Sequence, residues 1–137
     1  MINPPSKQPL SLSPVSGPSQ IGSKIGFDFD GTLSELLPKG FKPPTGSVVV
    51  TGRGPEKSED TKSFLGKHGY QDMPVHYGDS KGDPEAAAKF KASKIQELGL
   101  QVFYENESKQ VQLLRQTLPN VKIVHVKPGG KISSPTQ

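Results

Sequence analysis

The chain has 137 residues, 31% of them hydrophobic, and its 17 basic and 13 acidic residues give a net charge of +4 at pH 7. This length allows one domain at most, and the absence of cysteine excludes disulfides and Cys-ligated zinc. No apolar run has membrane-spanning length and no secretory signal is recognisable, so we expect no membrane partner and a cytoplasmic protein.

Composition divides the chain into an arm, a domain and a tail. Residues 1–23 contain five prolines, many serines and no acidic residue, which is typical of a disordered or extended arm. Residues 127–137 look similar, so the folded domain is predicted at residues 24–126. Every acidic residue lies between Asp28 and Glu107, which leaves positive charge at both ends. That charge could attract nucleic acid, although solvated lysines explain it equally well because no basic run is dense.

The first predicted element is a strand at residues 25–29, in which apolar residues alternate. Asp28 and Asp30 stand at its carboxyl end, and Gly31 after them allows a sharp turn. Two carboxylates at the end of a buried strand are costly unless a cation lies between them. Mg²⁺ is the expected cation because it takes oxygen ligands.

Strands and helices alternate along the rest of the domain. Residues 34–44 are too rich in proline and glycine for a helix of useful length. Strands are predicted at residues 47–51, 73–77, 101–104 and 121–124, and helices at residues 56–68, 84–98 and 108–118. The alternation predicts an α/β fold with a five-stranded parallel sheet in a three-layer arrangement. Ligands of such sheets bind at the carboxyl ends of the strands, where Asp28, Thr51 and Glu105 fall.

The sequence Asp28-Phe29-Asp30-Gly31-Thr32 resembles the first motif of the haloacid-dehalogenase (HAD) superfamily of phosphotransferases, Asp-x-Asp-Gly-Thr after an apolar strand. The resemblance implies a Rossmann-like, HAD-like domain over residues 24–126. It also implies that Asp28 is a nucleophile that forms an aspartyl-phosphate, and that Asp30 is the general acid and base. Mg²⁺ would be held by the Asp28 carboxylate, the Asp30 main-chain carbonyl and an acid after the fourth strand.

Two further motifs of that superfamily have counterparts in the chain. Thr51, before Gly52 and Arg53, is similar to the Ser or Thr of the second motif, which hydrogen-bonds a phosphoryl oxygen. Arg53 is expected either to contact the substrate phosphate or to be an ordinary surface residue. The third motif is a Lys that binds the nucleophile and phosphoryl oxygens. Lys91 fits it best, since it follows a Phe and precedes apolar residues by four and seven positions, and Lys89 is the alternative.

The fourth motif, usually a pair of acids after a strand, is represented by residues 103–107, Phe-Tyr-Glu-Asn-Glu. These residues look like the Tyr-Glu-Asp version of small HAD domains linked to nucleic-acid end repair. Glu105 is then the expected metal ligand, and Asn106 offers a neutral oxygen in place of the second acid. Glu107 and Gln110 occupy the positions of an Arg and a His in that version, so a repair-type substrate does not follow.

A rival fourth motif lies at residues 78–83, Gly-Asp-Ser-Lys-Gly-Asp, but the number of strands favours Glu105 and leaves Asp79 as a loop acid. The connection between the first two strands is too short for a cap domain, so the site is expected to be open to a large phosphorylated substrate such as a nucleic-acid end.

The resemblance therefore predicts a Mg²⁺-dependent phosphatase. The alternative is a catalytically weak HAD-like domain that joins a larger assembly, or a second copy of itself, through residues 1–23. The small size would suit a viral protein, in which case the location is the host cytoplasm or the virion.

Overall fold

A mixed sheet of six strands organises residues 24–133, which are the residues that the computed structural model describes. The expectations for the arm at residues 1–23 and for residues 134–137 lie outside this part. The strands are β1 (Ile25–Phe27), β2 (Val48–Thr51), β3 (Val75–Tyr77), β4 (Val102–Glu105), β5 (Lys122–Lys127) and β6 (Lys131–Ser133). Their order is β3-β2-β1-β4-β5-β6, with β1 to β5 parallel and β6 antiparallel to β5. The prediction of an all-parallel sheet of five strands was therefore wrong at this edge.

Strand β6 comes from residues that composition had placed in the tail. The chain reverses after Lys127 through Gly129 and Gly130, which both have φ of +81°, and Val126 then pairs with Ile132. Glycine adopts this backbone conformation without the strain that a Cβ causes. Gly129 and Gly130, in the segment whose composition resembled the N-terminal arm, thus form the turn of a hairpin.

Four helices connect the strands: α1 (Ser34–Leu36), α2 (Ser58–Lys67), α3 (Pro84–Leu98) and α4 (Ser108–Thr117). Helix α3 begins as predicted, because the Asp83 side chain accepts a hydrogen bond from the main-chain N of Glu85 at 3.1 Å. It ends at Gly99, whose φ is +67°. None of the helices between residues 24 and 133 combines the length and apolarity needed to cross a bilayer.

Apolar residues cover both faces of the sheet. Val49 and Val50 are both fully buried, and successive side chains of a strand point to opposite faces. Val50 belongs to the core formed with helices α3 and α4, which includes Ile95 and Leu114. Val49 belongs to a second core that includes Leu65 of α2. This explains why β2 reads as a continuous apolar run rather than an alternating one.

The connection between β1 and β2 contains only short helical turns. Residues 29–33 form a wide turn in which Asp30 and Gly31 leave the helical conformation, and α1 and a 3₁₀ turn at Leu37–Lys39 follow. Leu33 and Leu37 are buried in the second core, so this segment covers part of the sheet. As predicted, no longer helix and no inserted domain occupies residues 28–47.

Strand β1 lies at the point where the order of the strands reverses. The chain proceeds from β1 outwards through β2 and β3, then crosses over to β4 on the other side of β1. In open α/β sheets the crevice at such a point, beyond the carboxyl ends of the strands, is where ligands bind.

Candidate functional site

An open cavity of about 370 Å³ lies at the carboxyl ends of the central strands. Asp28 follows β1 directly, and its main-chain N donates to the carbonyl of Tyr104 at 2.9 Å, which fixes it beside the end of β4. The predicted site residues that line the cavity are Asp28, Asp30, Gly52, Arg53, Lys91, Glu105 and Asn106. Thr51 is buried at the end of β2, outside the lining residues, and its hydroxyl oxygen accepts a hydrogen bond from the main-chain N of Arg53 at 3.1 Å.

Lys91 of helix α3 is the centre of a buried polar cluster. Its Nζ donates to Asp28 Oδ1 at 2.9 Å, to Glu105 Oε1 at 2.7 Å and to Gln110 Oε1 at 2.8 Å. All four side chains are buried, and the whole Lys91 residue is only 2% exposed. Lys89, the alternative for this role, is exposed on another side of the helix. The structure thus places Lys91, and not Lys89, against Asp28.

Burial and charge set the protonation of this cluster. Burial raises the pKa of Asp28, and the Lys91 ammonium opposes that shift. Burial and then the neighbouring charge of Asp28 raise the pKa of Glu105 to about 7. Burial disfavours the charged form of Lys91, but the two carboxylates outweigh it and raise its pKa. Since one cation faces two carboxylates, the charged form of Lys91 is favoured, while the raised pKa of Glu105 brings its protonation near neutral pH.

The Asn106 amide approaches the other side of Asp28. One terminal atom of the amide lies 2.8 Å from Asp28 Oδ2, 2.7 Å from the Asp30 carbonyl oxygen and 3.3 Å from Thr32 Oγ1. If that atom is nitrogen, it donates to these oxygens, and if it is oxygen, the site is a cluster of oxygens only. Gly31 is required here because its φ is +78° and because a Cβ would collide with Asn106.

Three oxygens of the type that binds a hard cation lie around this amide: Asp28 Oδ2, the Asp30 carbonyl oxygen and, in one orientation of the amide, Asn106 Oδ1. The separations of 2.8 and 2.7 Å that join the amide atom to the two other oxygens are ordinary hydrogen-bond lengths. Within residues 24–133 no three His, Cys, Asp or Glu side chains gather as a metal site, and only one oxygen of this set comes from those residue types.

Glu105, which was predicted as a metal ligand together with Asn106, lies apart from these oxygens. Its Oε1 accepts from Lys91, and its Oε2 accepts from the main-chain N of Glu107 at 3.1 Å. Both carboxylate oxygens are therefore engaged, one by α3 and one by the start of α4.

Asp30 and Arg53 form a second ion pair at the rim of the cavity. Arg53 Nε donates to Asp30 Oδ2 and Arg53 Nη2 to Asp30 Oδ1, both at 2.8 Å. Arg53 Nη1 also donates to Thr61 Oγ1 at 3.1 Å, and the guanidinium carbon lies 4.8 Å from the centre of the Phe29 ring. The Asp30 side chain is 60% exposed. Arg53 was expected either to contact the substrate phosphate or to be an ordinary surface residue, and here it holds the second aspartate in a two-point contact.

The loop between β3 and α3 forms another wall of the cavity. Ser80 Oγ donates to the Gly52 carbonyl at 3.1 Å, and a Cβ on Gly52 would lie 2.7 Å from the same hydroxyl, so this contact requires glycine. The rival acid Asp79 has φ of +131° and is exposed, and it is absent from the lining residues. Asp83, the other acid of that rival sequence, lines the cavity and caps α3.

Two contacts in the site were missed at the level of sequence. Gln110 precedes Leu114 and Leu118 at intervals of four, so it is a polar residue on the buried side of α4, and that spacing could have revealed it. Thr61 is fully buried, and its hydroxyl donates to the Lys57 carbonyl at 2.9 Å while it accepts from Arg53. Nothing in the sequence around Thr61 indicates that contact.

Comparisons of the chain with protein-family models, with curated proteins and with solved structures gave no match. The resemblance to HAD domains rests on the motif residues of the sequence.

Proposed function

We propose that the chain is a Mg²⁺-dependent phosphatase built on a Rossmann-like, three-layer HAD-like domain, with Asp28 as the nucleophile. One observation carries the proposal: the two oxygens of Asp28 have different surroundings. Oδ1 accepts from Lys91 Nζ at 2.9 Å, whereas Oδ2 accepts from Thr32 Oγ1 at 3.2 Å and lies 2.8 Å from the Asn106 amide, which also approaches the Asp30 carbonyl. This arrangement suits a buried carboxylate that must stay charged and oriented in an open crevice.

In the first step Asp28 attacks the phosphorus of a phosphomonoester. A bond forms between an Asp28 carboxylate oxygen and phosphorus while the bond to the leaving oxygen breaks, and Asp30 gives that oxygen a proton. Lys91 offsets the charge around Asp28 throughout. When bound by the three oxygens, Mg²⁺ would neutralise negative charge on the transferring phosphoryl group.

In the second step water releases the phosphate. Asp30, now a carboxylate, removes a proton from the water while the water oxygen bonds to phosphorus. The bond between phosphorus and Asp28 breaks at the same time. Asp30 can act as the donor of the first step only after Arg53 releases one of its oxygens, because both now accept from the guanidinium. A phosphate dianion is an alternative partner for that guanidinium.

The decisive experiment compares the wild type with Asp28→Asn, which preserves shape and removes the nucleophile. Both proteins are incubated in Mg²⁺ with p-nitrophenyl phosphate and with oligonucleotides that carry a 3′- or 5′-phosphate. We expect hydrolysis by the wild type only, and the preferred substrate identifies the substrate class. Equal rates for the two proteins on every substrate would overturn the proposal.

The metal is tested separately by calorimetric titration with Mg²⁺. Asn106→Asp adds a negative charge to the oxygen set, so we expect it to bind Mg²⁺ more tightly and to need less Mg²⁺ for half-maximal activity. Gln112→Glu adds the same charge on the exposed side of α4 and serves as the control. Equal Mg²⁺ affinity in the two variants would contradict the assignment of Asn106.

A second candidate function follows from the other orientation of the same amide. With its nitrogen towards Asp28 Oδ2 and the Asp30 carbonyl, Asn106 satisfies those oxygens without a cation. The domain would then be a catalytically weak scaffold that joins an assembly. An absence of both Mg²⁺ binding and hydrolysis, together with an oligomer of the full chain in light scattering, would favour this candidate over the phosphatase.

A further inference from the structure

The ammonium group of Lys91 has no hydrogen-bond donor left for a ligand. An ammonium carries three N–H donors, and these go to Asp28 Oδ1, Glu105 Oε1 and Gln110 Oε1 at 2.7 to 2.9 Å. The third HAD motif was expected to bind phosphoryl oxygens as well as the nucleophile. In this arrangement Lys91 can do so only by giving up one of its three contacts.

Gln110, which lines the cavity, is the neighbouring side chain that keeps unused donors. Its main-chain N is engaged by Glu107 Oε1 at 2.9 Å and its Oε1 by Lys91. Its Nε2 makes no hydrogen bond within residues 24–133, although the residue is only 8% exposed and lines the cavity.

The amide nitrogen of Gln110 keeps access to solvent. In the described part of the chain the sealed side-chain polar atoms without a partner are Tyr77 Oη and Arg115 Nε, and Gln110 Nε2 is not among them. Because the residue lines the cavity and Lys91 fixes its amide oxygen, the nitrogen is an accessible donor for a ligand that enters there.

We propose that Gln110 is a phosphoryl-binding residue: its Oε1 holds Lys91 against Asp28 while its Nε2 donates to an oxygen of the phosphoryl group. This inference rests on the proposed phosphatase function and names a contact that the motifs do not include. A neutral donor suits the position, because Asp28 and Glu105 are adjacent and a carboxylate in its place would repel a phosphate dianion.

Gln110→Glu separates the two roles. The variant keeps an oxygen that can accept from Lys91, but it loses the N–H donors and gains a negative charge. Binding of inorganic phosphate is measured by calorimetry in the presence of Mg²⁺, for the wild type, for Gln110→Glu and for Gln112→Glu as the matched charge control on the exposed side of α4. Thermal unfolding reports whether the Lys91 cluster survives.

We expect Gln110→Glu to bind phosphate at least about tenfold more weakly, as loss of a hydrogen bond to a charged group implies. Gln112→Glu should bind phosphate as the wild type does and keep the wild-type unfolding temperature. Gln110→Met, which loses both ends of the amide, should weaken phosphate binding and also lower the unfolding temperature.

Wild-type affinity in Gln110→Glu would show that the residue only supports Lys91 and would overturn the inference. So would an absence of phosphate binding by the wild type. Hydrolysis of p-nitrophenyl phosphate then distinguishes failure of the inference about Gln110 from failure of the proposed phosphatase function. If the wild type hydrolyses it and Asp28→Asn does not, the phosphatase function stands and the role of Gln110 alone is lost.

Discussion

A buried cluster of ion pairs around Lys91 and a solvent-exposed ion pair of Arg53 and Asp30 lie at the same edge of the sheet. The side chain of Lys91 is 2% exposed and those of Asp28 and Glu105 are 6% and 1% exposed, whereas Arg53 and Asp30 are 25% and 60% exposed. The buried cluster has lost its hydration, so each member depends on the others. The rim pair remains in contact with water, so it contributes little to stability and can exchange partners. Burial thus separates groups that must stay fixed from groups that can move.

The largest effect is expected from Lys91→Met, which leaves two buried carboxylates facing each other. Removing one partner of a buried ion pair costs about 3–5 kcal/mol. The free energy of unfolding, measured by urea titration at pH 8, should fall by this amount, and activity should be lost. Lys89→Met, two residues away and exposed, is the control and should unfold like the wild type. Equal losses of stability in both variants would contradict the prediction that the buried cluster contributes more to stability than an exposed lysine.

The next effect concerns pH and Glu105. Since its pKa is raised from 4.5 to about 7 in the folded protein, the native state binds more protons than the unfolded state between these values. The free energy of unfolding therefore falls as pH rises through this window, by up to about 1.4 kcal/mol per pH unit. Glu105→Gln should flatten this slope in urea titrations with a chelator present. The exposed Glu97→Gln is the control, and a wild-type slope in Glu105→Gln would refute the assignment.

A smaller effect on stability, and a clear one on activity, is expected from Arg53→Lys. The change keeps the charge but removes the two-point contact with Asp30 and weakens the contact with Phe29. Because the pair is largely solvated, the free energy of unfolding should change by about 1 kcal/mol or less. The value of kcat/KM should fall about tenfold if one charge-assisted phosphate contact is lost. Lys62→Met, on the exposed side of α2, should leave kcat/KM unchanged.

The smallest effect is expected from the surface ion pair of Lys94 and Glu97, whose charged atoms lie 3.2 Å apart on α3. Glu97→Ala should change the free energy of unfolding by about 0.5 kcal/mol or less. The difference should shrink further in 1 M salt, since exposed charges are screened. A loss comparable to that of Lys91→Met would erase the distinction between buried and solvated pairs.

The convergence of Asp28 and Glu105 could be predicted because it depends on topology. Parallel strands bring their carboxyl ends to one edge of the sheet, so residues that end β1 and β4 become neighbours whatever their exact lengths. Lys91 lies on a helix and was predicted instead from the motif that its surroundings in the sequence resemble. Side chains alternate along a strand, and Glu105 shares the face of Phe103, which packs in the core formed with α3. It therefore meets Lys91, while Asn106 turns towards Asp30.

Features that depend on loop conformation could not be predicted. The contact of Arg53 with Asp30 joins two turns whose backbone angles are not encoded in any periodic pattern. Strand β6 was hidden because a hairpin turn of two glycines has the composition of a linker. In both cases the residues were noticed, but their partners are set by tertiary packing.

The short connection between β1 and β2 has a kinetic consequence for the proposed phosphatase. Enzymes that enclose their substrate under a mobile element are often limited by the rate at which that element opens. Residues 28–47 form a few turns packed on the sheet, and within the described chain they carry nothing that could close over the cavity. The residence time of a bound product would then be set by fixed contacts on the cavity floor, and strengthening those contacts would slow turnover directly.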